Sequence, residues 1–169
     1  MLLTRLSATL VAVILLAGCG EERAAAPKIQ TKADFIAAAD KICVERDTRG
    51  RTLARQPRND IGHLAGELAK AYETAISKSE ALALPPGTGR AGAQKYVRSL
   101  AAMRRPVQRM KSSAAALEAA TDVAVLKRTG ARLAMDVNTV QAVADLADQN
   151  ARLYGMKRCG QQQALPPVT

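Results

Sequence analysis

The chain has 169 residues, the size of one ordinary domain, and holds only one Phe, three Tyr and no Trp. Its 25 Lys and Arg against 15 Asp and Glu give a net charge of +10. That balance favours anionic surfaces, such as lipid headgroups, acidic wall polymers or nucleic acid. The shortage of aromatic side chains removes the stacking platforms that single-stranded nucleic acid needs, so nucleic acid is not expected as a partner.

Residues 1–18, MLLTRLSATLVAVILLAG, carry one positive charge at Arg5 before an apolar run from Leu6 to Ala17. A run of about a dozen residues is too short for the roughly 20 that span a bilayer, and it reads as a signal peptide. Leu16-Ala17-Gly18-Cys19 follows directly. This segment resembles the lipobox of bacterial lipoproteins, which implies acylation of Cys19 and cleavage just before it. Two or three acyl chains, at about 0.8 kcal/mol per buried CH₂, make a stable membrane anchor. The expected location is the extracytoplasmic face of the cell membrane. Cleavage would leave 24 basic and 15 acidic residues, a net charge of +9. Residues 19–30 are polar and Ala/Pro-containing, as expected of a flexible tether.

With Cys19 lipidated, Cys43 and Cys159 remain, in a compartment that permits disulfides. Only one pairing is open to them. A bridge closing more than 100 residues would remove about 4–5 kcal/mol of unfolded-chain entropy. Neither cysteine belongs to a CxxC or CxxCH motif, so the bridge reads as structural.

The domain proper, 31–160, is expected to be all-α, an up-down four-helix bundle. The first helix opens at Thr31-Lys32-Ala33-Asp34, a capping box with Asp in the place of Glu. Phe35, Ile36, Ala39, Ile42, Cys43 and Leu53 share its apolar face. Arg46 falls on the same side, with its stem expected to pack and its head to snorkel to water. Gln56-Pro57-Arg58-Asn59 is a break, after which Asn59 or Asp60 caps the second helix. Ile61, Leu64, Leu68, Ala71, Ala75 and Leu82 form its expected inner stripe. Leu84-Pro85-Pro86-Gly87 ends it.

The third helix is expected from about Arg90 to Leu117, with Tyr96, Leu100, Met103, Val107, Met110 and Leu117 inward and a kink or restart at Pro106. Thr121-Asp122 starts the fourth. Leu126, Gly130, Leu133, Val137, Val140, Ala144, Ala147, Ala151 and Tyr154 then alternate at spacings of four and three, a bundle seam closed by Gly155. Residues 161–169 are expected to be a disordered tail.

The sequences Ala39-Asp40-Lys41-Ile42-Cys43, Ala83-Leu84-Pro85-Pro86-Gly87 and Tyr154-Gly155-Met156-Lys157-Arg158-Cys159-Gly160 resemble those of small lipoproteins common in actinobacteria. The likeness covers the mature chain and implies this architecture and no activity.

No residue set reads as an active site. Gly87 to Gly92 matches GxGxxG, but two prolines and a helix precede it instead of the strand a dinucleotide fold needs. His63 is the one histidine, and neither HExxH nor a pair of ExxH motifs is present. His63 with Glu67 reads as a solvated helix face rather than a metal site. Asp145 and Asp148 lie one turn apart on a flank of the fourth helix, not across a cleft from one another. Ser112 and Ser113 lack a nucleophile-elbow context. No cofactor or metal is expected.

The third helix is the most informative surface. From Arg90 to Lys111 it has seven basic residues and no acidic one. At about 100° per residue, Lys95, Arg98, Arg105 and Arg109 gather away from the apolar stripe. A single-signed basic helix on a lipid-anchored chain points to contact with anionic lipid or cell-wall polymer. The sequence therefore reads as a non-enzymatic binding or structural module of the envelope. The alternative is a small-ligand carrier, with an apolar pocket between the helices lined by Tyr96, Met103 and Met110. A protein partner is not legible.

Overall fold

In a computed structural model, residues 29, 31–57 and 59–159 are described, and they are helical and loop residues without strands. The helices are α1 (Lys32–Ala54), α2 (Ile61–Glu80), α3 (Gly89–Ala101), α4 (Arg104–Glu118) and α5 (Val123–Tyr154). The signal segment, Cys19, the tether apart from Ile29, and the tail at 161–169 lie outside the described residues. Ile29 itself is half-buried against the core, so the domain takes hold of the chain three residues before α1.

The starts of α1, α2 and α5 and the end of α5 have local causes. The Thr31 hydroxyl accepts from the Asp34 backbone N–H at 3.1 Å. Asp34 in turn accepts the Thr31 N–H at 2.9 Å, which completes the capping box. Of the two caps open to the second helix, Asp60 serves, accepting from the His63 N–H at 3.0 Å. Asp122 caps α5 by accepting from Ala124 and Val125. At the other end of α5, Gly155 sits at φ 99°. The Met156 N–H reaches the Ala151 carbonyl at 3.0 Å and the Gly155 N–H reaches that of Arg152 at 2.9 Å, a Schellman turn. It buries Met156.

The expected third helix is two helices. Pro106 has no N–H, and in a continuous helix its ring would press on the Ala102 carbonyl. The chain instead turns at Ala102–Met103 and restarts, so that Pro106 occupies the first turn of α4, where a missing N–H costs little. Apart from half-buried Leu117, the inward stripe survives the break: Tyr96, Leu100, Met103, Val107 and Met110 are all buried.

The expected inner stripe of the second helix is corrected. Gly62, Ala65, Ala69, Tyr72, Ala75, Ile76 and Ser79 are its buried residues, while Ile61 is exposed and Leu64, Leu68 and Ala71 are half-buried. The reason is backbone proximity. A Cβ at Gly62 would lie 3.1 Å from the Ala114 carbonyl oxygen, so α2 meets α4 through its small residues and carries bulk at Tyr72 and Ile76. On α5 the seam holds from Leu133 onward, whereas Val123 and Leu126 are exposed and its first turns lead away from the core.

α2 packs on α1, α3 and α4, and α5 packs on α3 and α4. Between α1 and α5 the links are side chains. The Phe35 ring meets Tyr154 edge-on at 5.8 Å and Tyr96 at 6.5 Å. Cys43 and Cys159 form a disulfide, with Cα atoms 5.1 Å apart.

Candidate functional site

The bridge sits in a small polar pocket of its own making. The Tyr96 hydroxyl lies 3.4 Å from Cys43 Sγ and 3.3 Å from Cys159 Sγ. Its proton is the only one available between these three atoms, so the phenol is the donor. Burial pushes the Tyr96 phenol well above its ordinary pKa, which keeps that proton in place. Asp40, one turn before Cys43, accepts from the backbone N–H groups of Lys157 (3.2 Å), Arg158 (2.8 Å) and Cys159 (3.1 Å). The segment that returns Cys159 to α1 is thus held by a carboxylate as well as by sulfur.

The glycine-rich loop has a packing role that its motif did not suggest. The Tyr154 hydroxyl donates to the Gly89 carbonyl at 2.8 Å. A Cβ at Gly92 would lie 2.3 Å from the Tyr154 ring. Gly87 takes φ 65°, a turn conformation that suits glycine. The glycines let α3 begin directly against the end of α5.

The four basic residues of the expected face are divided between two helices, Lys95 and Arg98 on α3, Arg105 and Arg109 on α4, and all are exposed. Successive residues are about 100° apart. Arg98 therefore projects opposite the buried edge of α3, and Arg105 opposite that of α4. Counter-charges come from other helices, a feature invisible in the local sequence. Arg104 pairs with Glu80 and Lys111 with Glu73 at 2.8 Å. Arg109 Nε lies 3.5 Å from Asp136. Arg90, Lys95, Arg98 and Arg105 have no ion pair among the described residues.

Two acids are buried, and the expected place of Asp148 on a flank of the last helix is corrected, since it lies inward like Asp136. Asp148 lies 3.8 Å from Arg46, whose guanidinium also meets Asp47 at 2.8 Å and covers the Tyr72 ring at 5.6 Å. The expected snorkelling of Arg46 is corrected: its side chain is 8% exposed. Burial pushes Asp148 up to about 6, with Arg46 opposing the shift. Burial also works against the charge of Arg46, but Tyr72, Asp47 and Asp148 together outweigh it and raise its pKa. Asp136 is the second buried acid, and it accepts from the Ser113 hydroxyl at 2.6 Å. The sequence held a signal for both. Asp136 is three residues past Leu133 and four before Val140, and Asp148 stands likewise between Ala144 and Ala151. An arginine on an apolar face implies a buried acid to meet it.

Glu67, one turn from exposed His63, is clamped by Lys70 and Arg49 and held down to about 2 by their hydrogen bonds, that of Lys70 first. No group of three or more His, Cys, Asp and Glu side chains able to hold a metal occurs among the described residues. Tyr96, Met103 and Met110, which a ligand pocket would expose, are buried to 1% exposure or less. A shallow cavity of about 290 Å³ lies instead between α1 and α2, lined by charged residues such as Glu45, Arg49, Lys70 and Lys78. No described helix is long and apolar enough to cross a membrane. No family model, curated protein or solved structure matches the chain.

Proposed function

We propose that this chain is a membrane-anchored extracytoplasmic lipoprotein, held by acyl chains on Cys19, and that its helical domain acts by binding or as a structural element of the envelope rather than by catalysis. Its arrangement is an up-down four-helix bundle in which α3 and α4 together supply one broken helix. Ion pairs between α1 and α2, at Glu45–Lys78 and Arg49–Glu67, and between α2 and α4, at Glu73–Lys111, support antiparallel neighbours. The bridge brings the end of α5 back to α1.

The observation that carries the reading is the exposed cationic surface of α3 and α4. Arg98 and Arg105 point away from the core, and they, with Lys95, are unpaired among the described residues. An anionic surface, lipid headgroup or wall polymer, is the complement of such a face. Near an anionic leaflet each cation contributes about 1 kcal/mol. The contact weakens as salt rises.

Two measurements test this. Metabolic labelling with a fatty acid marks the wild type and not Cys19→Ser; equal labelling removes the anchor. Protein starting after Cys19 binds vesicles in proportion to their anionic lipid content, and changing Lys95, Arg98, Arg105 and Arg109 to Gln weakens that binding. A variant that binds as well as wild type reduces this face to a solvated one.

A further inference from the structure

The fold gathers a second set of cations that no stretch of sequence displays together. Lys32 is the first residue of α1, and Arg90 the second of α3. Lys157 and Arg158 follow the end of α5. Close contacts place these segments at one end of the domain. Gly89 approaches both the Lys32 side chain and the Tyr154 hydroxyl, and a Cβ there would lie 3.3 Å from each. Lys32 Nζ stands 4.7 Å over the Tyr154 ring. Asp40 on α1 holds the backbone of Lys157 and Arg158.

The side chains of these four residues are exposed and have no ion pair among the described residues. The two acids nearest in sequence are already engaged. Asp34 takes the Thr31 N–H and hydroxyl, and Asp40 takes three backbone N–H groups. Hydrogen bonding leaves both carboxylates charged, so these segments carry four cations against two acids and the end is net positive. It is also where the chain joins the domain, at Thr31, twelve residues from Cys19. Twelve residues reach at most about 43 Å however they are arranged. The far end of α5, with 32 residues, lies about 48 Å further along that helix. An anchor at Cys19 thus keeps this end closer to the headgroups than the opposite end, at a high effective concentration. The intervening segment has Glu21 and Glu22 against Arg23 and Lys28, so it adds no net charge of its own.

We propose that the tether end, through Lys32, Arg90, Lys157 and Arg158, is the surface that rests on anionic lipid headgroups, with the helices standing away from the bilayer. This rests on the reading of Cys19 as a lipid anchor and moves the contact from the flank of α3 and α4 to the end of the domain. The test uses the full acylated chain in vesicles of phosphatidylcholine with increasing phosphatidylglycerol, and reads lysine accessibility by amine acylation and mass mapping. Lys32 and Lys157 should lose labelling several-fold on anionic vesicles relative to Lys127, near the far end of α5, and recover it with added salt. The double change Arg90→Gln and Arg158→Gln should weaken that protection. Protection of Lys95 and Lys111 with Lys32 and Lys157 unchanged overturns the proposal and leaves the flank as the contact. Uniform labelling overturns both surfaces. Protection by isolated wall polymer but not by vesicles overturns lipid as the ligand. Failure of the anchor is read separately, as equal recovery of wild type and Cys19→Ser with the vesicles.

Discussion

At the end where α1 begins, Phe35, Tyr96, Tyr154 and the Cys43–Cys159 bridge meet in one cluster. At the opposite end, α2 and α4 touch through Gly62, Ala114 and Glu118, with no aromatic side chain between them. The first end holds the chain's one Phe and two of its three Tyr. α1 and α5 are also joined there by side chains, where α2 and α4 pack directly. The two ends are held by different means. One end relies on close backbone approach between small residues, which costs little side-chain entropy but buries little area per residue. The other brings α3 against α5 through Gly89 and Gly92 and fills the wider gap between α1 and α5 with rings and a disulfide.

The largest way to break this contrast is to open the bridge. It joins residues 116 apart, and its removal should cost about 4–5 kcal/mol in the chain-entropy account. Cys43→Ser with Cys159→Ser should lower the melting temperature on the order of 15 °C. Hydrogen exchange should rise first in the last turns of α5 and in α3, and last where α2 meets α4. Exchange that rises equally throughout would show that the two ends do not differ in how they are held.

A paired glycine experiment sharpens the same point. Gly92→Ala places a Cβ 2.3 Å from the Tyr154 ring. The ring must move, and the hydrogen bond to Gly89 is lost with it, for a cost of about 3 kcal/mol. Gly66 has nothing within 4 Å of a Cβ and lies inside α2, so Gly66→Ala should gain about 0.5–1 kcal/mol from helix propensity. Denaturant unfolding of both variants measures the two signs.

The glycines also mark what was legible in the sequence. Periodicity located the helical segments, because Leu and Val at spacings of three and four state a helical period directly, but it ran α3 and α4 together across the break before Pro106. Arithmetic on three cysteines gave the bridge. The GxGxxG segment lies in an inter-helix loop and the start of α3, and its packing against Tyr154 depends on a residue more than 60 positions away. The inner stripe of α2 went wrong for a related reason. Leu64 and Leu68 outweigh Ala65 and Ala69 in hydrophobicity, yet closeness to α4 favours the smaller side chains. For the candidate site, the exposed cations were legible residue by residue. Their partners Glu73, Glu80 and Asp136 were not, since pairing across helices leaves no local spacing.

The buried ion pair should reveal itself through pH. With Asp148 up to about 6 in the fold against about 3.9 unfolded, the folded state binds the proton more tightly. Its contribution is fully present below pH ~3.9 and is lost as pH rises through about 6, a change of about 2–3 kcal/mol. Glu67, held at about 2, acts in the opposite sense and below that window. The difference in stability between wild type and Asp148→Asn should therefore change between pH 4 and 7 and flatten outside it. A constant difference would mean that Asp148 is charged throughout, with Arg46 fully compensating its burial.

The smallest expected effect on stability separates the two basic surfaces most cleanly. Glu73 and Glu80 neutralise Lys111 and Arg104 on α4, and all four side chains are at least a third exposed. Pairs of this kind contribute about 0–1 kcal/mol each, so Glu73→Gln with Glu80→Gln should leave unfolding almost unchanged. The double change nevertheless adds two net positive charges to the flank of α2 and α4 and none to the tether end. If the flank of the broken helix is what meets an anionic surface, vesicle association of protein starting after Cys19 should strengthen several-fold at low salt and lose that gain at high salt. If Lys32, Arg90, Lys157 and Arg158 make the contact, the released cations face water beyond a screening length from the headgroups, and association should stay at the wild-type level. Binding that rises without any dependence on salt would point to neither, because exposed Lys and Arg act on a membrane through a field that salt removes.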